Sequence, residues 1–258
     1  TPGVPYTNEA VGAENYGTIA YVRESPHEAG VIWTGSDDGL VHLTRDGAKT
    51  WTNVTPKGLQ ETLINAIEVS PHDPATAYIA TTRYKFNDYT PAIYKTTDYG
   101  KTWTNISKGI PYGAFTRVVR EDSKKKGLLY AGTEQGVYIS RDGGANWTSF
   151  QLNLPVTPIT DLKVAHDDLI VATSGRSFWI LDELNVVREV KDKVDQPTLY
   201  TPENALLGNW YSSMNGGNLE EFTGTHPFEG INPANGMVIH YSLPESVTDS
   251  TELTLEIL

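Results

Sequence analysis

One pattern constrains this chain more than any other. Residues 44–51 (TRDGAKTW), 96–103 (TTDYGKTW) and 140–147 (SRDGGANW) share the form (S/T)-x-D-x-x-x-(T/N)-W. Their aspartates, Asp46, Asp98 and Asp142, lie 52 and then 44 residues apart. Two further markers recur with them. Ser25-Pro26-His27 returns as Ser70-Pro71-His72, 45 residues on, and Trp33-Thr34-Gly35 has a counterpart in Tyr130-Ala131-Gly132. A chain that repeats its turn chemistry at this period builds equivalent supersecondary units stacked side by side.

Within each unit, β-branched and aromatic runs alternate with Gly, Asp and Pro turns, the signature of short antiparallel strands. The first unit predicts strands at 18–23, 31–34, 40–44 and 51–54; the second at 65–69, 77–81, 92–96 and 103–106. The third predicts 117–120, 128–132, 137–140 and 147–150. A degenerate fourth predicts 161–165, 169–173, 178–181 and 186–190. Four short strands per about 45 residues is the arithmetic of a β-propeller blade. The expected fold is therefore all-β, with four-stranded antiparallel propeller blades. Residues 1–194 would form a partial β-propeller, its four blades spanning 18–191. A segment rich in Pro, Asn, Gly and Ser (195–225) reads as a linker. The alternating runs 237–243 and 253–258 read as the first strands of an Ig-like β-sandwich. The last run stops inside a strand pattern, so the expected parent is a longer protein.

Composition narrows the function classes. Asp plus Glu number 32 against 20 Lys plus Arg, a net charge of −12. That excludes a general affinity for nucleic acid, which needs a basic footprint. No apolar run reaches the roughly 18 residues of a membrane span. With no cysteine, thiolate metal sites and thiol nucleophiles are excluded. The histidines show no metal-ligand spacing, and no phosphate-binding or dinucleotide motif occurs, so neither a metal nor a cofactor is expected.

The octapeptides resemble Asp-boxes, the BNR repeats of sialidase-like propellers. That resemblance implies a structural role for Asp46, Asp98 and Asp142, capping the hairpin between the third and fourth strands of a blade. Gly47, Gly100, Gly143 and Gly144 supply the positive φ such a turn needs, and Trp51, Trp103 and Trp147 would pack beneath it. Residues 39–56 (GLVHLTRDGAKTWTNVTP), 94–106 (YKTTDYGKTWTNI), 118–140 (VVREDSKKKGLLYAGTEQGVYIS) and 169–184 (LIVATSGRSFWILDEL) resemble the C-terminal part of exported bacterial Vps10/sortilin-like BNR propellers, often labelled glycosyl hydrolases. The resemblance implies export, to a periplasmic, cell-surface or extracellular location. Ser174 stands where such proteins carry histidine in T-H-G-R-G.

In a propeller, the loops joining second to third strands and those joining successive blades form the binding face. Unit two is longer than unit one between its Ser-Pro-His and its octapeptide, and the excess falls at 82–91 (TRYKFNDYTP). Arg83, Tyr84, Lys85, Asp88 and Tyr89 from that loop suit stacking on sugars or gripping a peptide. Gln135 and Arg176 join them from equivalent loops, and Tyr112 from a loop between blades. Asp37, Asp38 and Glu134 are the acids best placed to attempt glycosidase chemistry, which needs a carboxylate pair about 5–9.5 Å apart. Blades one and three are not neighbours, so such a pair could meet only across the axis. The leading expectation is a non-catalytic binding or scaffold module that recognises a protein or glycan, within a longer chain or larger surface assembly. The alternative is a glycoside hydrolase, sialidase-like or of the two-propeller endoglucanase type, with part of its site elsewhere in the protein.

Overall fold

The computed structural model describes residues 16–191, 193–204, 237–248 and 251–256. It divides into two compact units. One comprises Thr1–Ala165 with Leu169–Ile180, and the other His166–Asp168 with Leu181–Leu258.

The first unit is a run of antiparallel sheets taken in chain order. Blade one pairs β1 (Ile19–Glu24), β2 (Ile32–Ser36), β3 (Val41–Thr44) and β4 (Thr52–Asn53). Blade two pairs β5 (Leu63–Val69), β6 (Ala77–Arg83), β7 (Asp88–Thr96) and β8 (Thr104–Asn105). Blade three pairs β9 (Thr116–Glu121), β10 (Leu129–Thr133), β11 (Gly136–Ser140) and β12 (Thr148–Ser149). A fourth sheet has three strands, β13 (Ile159–Ala165), β14 (Asp168–Thr173) and β15 (Phe178–Leu181). The leading strands β1, β5, β9 and β13 touch in succession, so each blade packs its first strand on the next.

Sequence register explains that packing. Ile64 stands opposite Thr81 and Ile67 opposite Ile79. Both are fully buried, seated on blade one at Gly35. A Cβ at Gly35 would come within 2.3 Å of Ile64 Cγ2, so only glycine lets the sheets approach this closely. Gly132 receives Ile159 in the same way, a Cβ there falling 2.6 Å from Ile159 Cγ2. Trp33, Val41, Leu43, Ile64, Ile67 and Ile79 form one apolar cluster across the first junction. Each such side chain contributes about 1.5–3 kcal/mol by leaving water.

The octapeptides form the turns between third and fourth strands. In the first, Asp46 Oδ1 accepts the Thr50 amide (2.9 Å) and the Thr44 hydroxyl (2.9 Å), and Oδ2 accepts the Thr50 hydroxyl (2.7 Å). Asp98 repeats this with Thr102 and Thr96, and Asp142 with Asn146 and Ser140. The Thr50 hydroxyl and amide hold the Asp46 carboxyl down to about 2, and Thr102 does the same for Asp98.

The tryptophans reach further than a place beneath their own turns. Trp103 Nε1 donates to Val54 O of blade one (2.7 Å), and Trp147 Nε1 to Ile106 O of blade two (2.5 Å). The histidines run in the opposite direction. His27 Nε2 bonds Ser70 O (2.8 Å) and His72 Nε2 bonds Asp122 O (2.7 Å), each on the following blade. Each of these two junctions is therefore fastened by one indole and one imidazole.

Arg120 on β9 adds a bond network among the leading strands. Its Nη2 donates to Tyr21 Oη on β1 (3.0 Å) and pairs with Asp161 on β13 (2.7 Å). Its Nη1 lies 3.6 Å from Glu68 on β5, which Arg23 also meets at 3.2 Å. Four sheets thus share one guanidinium. Burial pushes the Glu68 carboxyl up, against the opposing pull of Arg120 and Arg23.

The second unit differs from expectation at three places. Residues 186–190 are not a strand: Leu184–Glu189 form a short helix, α1. The apolar pair Leu184 and Val187, three apart, is buried on one face, while Arg188 Nη1 pairs with Asp167 (2.6 Å). A spacing of three favours helix over the alternation of a strand. The run at 253–258 has no regular structure over 253–256, and 257–258 lie outside the described residues. From 237–243 only β17 (Tyr241–Ser242) is strand. It pairs with β16 (Thr198–Leu199), inside the expected linker, whose remainder from 205 lies outside the described residues.

Candidate functional site

The extra residues of blade two lengthen its central hairpin rather than forming an open loop. Strand β6 runs on to Arg83 and β7 begins at Asp88, with Arg83 paired opposite Asp88. A single 3-10 turn, Tyr84–Phe86, closes the tip, and Asn87 at φ 58° takes the left-handed position. Arg83 Nε meets Asp88 Oδ2 at 3.1 Å, and Arg83 Nη1 donates to Glu61 O (3.0 Å). The Thr90 hydroxyl and amide, with Arg83, hold the Asp88 carboxyl below its usual range. Arg83 and Asp88 thus brace the hairpin.

This bracing presents an aromatic group. Tyr84 stacks on Phe115, ring centres 5.6 Å apart and planes at 21°. Tyr89 meets Phe115 at 6.1 Å and stands edge-on to Tyr112 at 6.3 Å. Tyr112 and Phe115 come from the loop between blades two and three, tied to the hairpin by Gly113 N donating to Tyr89 O (3.1 Å). Phe115 is buried and serves as the base. Tyr84, Tyr89 and Tyr112 are open to solvent, Tyr112 by 69%.

A polar margin adjoins the rings. Arg117 lies with its guanidinium 5.3 Å from the Phe115 ring centre and pairs with Glu134 (Nη2–Oε2, 2.6 Å). Glu134 N donates to Phe115 O (3.0 Å), fixing the β10–β11 turn against the rings. Gln135 approaches Gly113 so closely that a Cβ there would lie 3.1 Å from Gln135 Nε2. Lys85 projects from the hairpin tip into solvent.

The structure therefore brings Arg83, Tyr84, Lys85, Asp88, Tyr89, Tyr112, Glu134 and Gln135 to one region on blades two and three. Arg176 is elsewhere, in the β14–β15 turn, where its carbonyl accepts the Trp179 indole N–H (2.8 Å). Asp37 and Asp38 stand on blade one. Asp37 Oδ1 accepts the amides of Gly17 (2.9 Å) and Thr18 (2.8 Å), and Asp38 bonds the Ser36 hydroxyl. With Glu134 on Arg117, each of the three proposed acids is already held by a hydrogen bond or an ion pair. Sequence reasoning missed Phe115 as the base of the group and Arg117 as the partner of Glu134. Among the described residues, no group of three or more His, Asp or Glu is placed to hold a metal ion. No described helix is long and apolar enough to cross a membrane.

Sheet order, blade packing and the projecting loops define this segment as β-propeller blades. Solved propellers agree. It superposes on a GH74 enzyme from Niastella koreensis with a TM-score of 0.51 and 18% identity, covering 65% of this chain and 28% of that one. A structure of YCF48 bound to D1 peptide matches with a TM-score of 0.50 and 19% identity, covering 70% and 57%. No protein-family model matches the chain. In sequence it is similar to the oligoxyloglucan-reducing end-specific xyloglucanase of Emericella nidulans, 27% identical over 131 residues. The probable enzyme of the same description from Neosartorya fischeri is 29% identical over 133 residues. Each alignment takes in 48% of this chain, and the matched segment spans 16% of the length of each relative. Over about half its length the chain is thus similar in sequence to glycoside hydrolases, and in fold to solved GH74 enzymes.

Proposed function

We propose that this segment belongs to an exported propeller protein and recognises a neutral glycan through Tyr84, Tyr89 and Tyr112. The observation that carries the reading is the exposed tyrosine group on a buried Phe115 base. Sugar rings present C–H faces that stack on such rings, while hydroxyls bond to adjacent polar groups. Gln135 and the Arg117–Glu134 pair supply those groups at the margin. The xyloglucanase relatives favour a β-linked glucan as ligand. Resemblance of the octapeptides to the Asp-boxes of exported propellers supports the location. Recognition without turnover fits the three acids, each of which is already bonded within the protein.

Titration of the 258-residue chain with xyloglucan oligosaccharides and cello-oligosaccharides tests this. Binding is expected, and Tyr112→Ala should weaken it about tenfold or more, the loss of one stacking contact of about 1.4 kcal/mol. Thermal stability should be unchanged, since Tyr112 is mostly exposed. Absence of binding at millimolar glycan, or binding indifferent to Tyr112, would overturn the proposal. A second reading, glycoside hydrolysis by a larger protein with carboxylates outside residues 1–258, is favoured by the same relatives. Release of reducing ends by the 258-residue chain itself, abolished by Glu134→Gln, would replace the binding-only reading.

A further inference from the structure

We infer, on the basis of the glycan reading proposed above, that Leu152 and Val156 in the loop between β12 and β13 are a second platform for the same ligand. The glycan would then lie lengthwise, from the tyrosines of blades two and three towards blade four. The loops leading into blades two, three and four share a turn. It is closed by Leu59 N donating to Pro56 O (3.0 Å), by Ile110 N to Ser107 O (3.2 Å) and by Leu154 N to Gln151 O (2.8 Å). Two residues beyond each closing residue stand Glu61, Tyr112 and Val156. Val156 therefore holds in the third loop the place of Tyr112 in the second, and it is 78% exposed. Glutamines join the two places. Gly113, beside Tyr112, abuts the Gln135 carboxamide, and Gly136 abuts that of Gln151. Gln151 Nε2 donates in turn to Leu154 O (2.9 Å) and Pro155 O (2.8 Å), next to Val156.

The third turn departs from the other two in a way that folding alone does not call for. The first two carry glycine at their third position, Gly58 at φ 81° and Gly109 at φ 106°, as a turn with positive φ there requires. In the third the positive φ moves to the second position, where Leu152 has φ 46°. Leucine enters the left-handed region at a cost that glycine or asparagine avoids. Asparagine is the next residue, Asn153, yet leucine takes the strained place. Its side chain is 66% exposed, so burial does not offset the strain. The other two loops carry Lys57 and Lys108 at this position. Backbone strain of this kind gathers at ligand contacts. Residues 150–160 also hold no ionisable side chain, although charged residues make up 20% of the chain. An uncharged aliphatic surface accepts the C–H face of a neutral sugar, whereas it would leave a charged ligand unpaired.

Calorimetric titration of the 258-residue chain with cellotriose and cellohexaose tests this. Cellohexaose should bind about tenfold or more tighter than cellotriose, and Leu152→Asn combined with Val156→Ser should remove most of that advantage. Tyr112→Ala should weaken both ligands. In the absence of ligand, Leu152→Asn alone should raise Tm by about 2–4 °C, through relief of one strained residue. A fall in Tm would mean that the leucine packs within the protein, and would overturn the inference. So would a cellohexaose advantage that survives both substitutions, or no advantage at all, with binding still dependent on Tyr112; the tyrosine reading would then stand alone. If neither oligosaccharide binds at millimolar concentration, both fall together.

Discussion

The same substitution made at three equivalent tryptophans should have three different costs. Trp147→Phe removes the indole N–H that Ile106 O accepts at 2.5 Å, in a place where the ring is 3% exposed. The carbonyl is left buried without a donor, at about 1–3 kcal/mol, and the lost ring volume adds about 1 kcal/mol more. The expected loss is about 2–4 kcal/mol, a fall in Tm of roughly 5–12 °C for a domain of this size. Trp103→Phe loses the bond to Val54 O and an edge-on contact with Trp33 at 6.2 Å, but in a half-buried setting. About 1–2 kcal/mol is expected there. Trp51→Phe should cost about 0.5 kcal/mol or less, because the ring is 43% exposed and its N–H has no partner among the described residues to strand. Thermal unfolding of the three single variants in the 258-residue chain, followed by far-ultraviolet dichroism, ranks them. Equal losses at all three positions would refute the reasoning. They would mean that each ring acts within its own turn, where the three octapeptides are alike, and not across the junction, where they differ.

The carboxylates of the octapeptide turns should shape acid stability. The folded-state value of Asp98 is held down to about 2 by Thr102 and Thr96, below the ordinary 3.8, so its ionised form favours folding. That contribution is fully present above the unfolded value and fades as pH falls through the folded one. Asp98→Asn should therefore flatten the decline of Tm between pH 5 and pH 2, its curve meeting the parent's at the acid end; parallel curves would show that Asp98 contributes no such term. Arg120→Leu should destabilise by about 3 kcal/mol or more in urea titration, because Glu68 is left buried with Arg23 as its remaining ion pair among the described residues. Adding Glu68→Gln should recover part of that loss, and failure to do so would place the cost in packing instead.

How much was legible in the sequence follows from what each feature depends on. The blades were readable because turn chemistry is local: glycine, aspartate and threonine at fixed offsets specify a hairpin whatever lies around it. Most strand edges shifted by a residue or two, and the strands flanking the 84–87 tip extended to Arg83 and Asp88, which pair across it. The helix at Leu184–Glu189 was missed because VVREV suits a strand by composition, while the burial of Leu184 with Val187 decided for a helix. Of the site, the exposed tyrosines were visible as loop residues. Phe115 was not, because its role depends on the hairpin of blade two meeting the loop that enters blade three. Arg120 was equally hidden, since nothing local marks an arginine that four sheets will share. The two kinds of legibility meet at residue 48. Each octapeptide needs positive φ at this position, and alanine at φ 69° meets that need at some strain. Glycine at 100 and 144 serves a second demand that the turn alone does not make, the close approach of the preceding blade. Departure from glycine is therefore tolerable only where that approach is relaxed. A single methyl records, in the sequence of one blade, the shape of the surface it can meet.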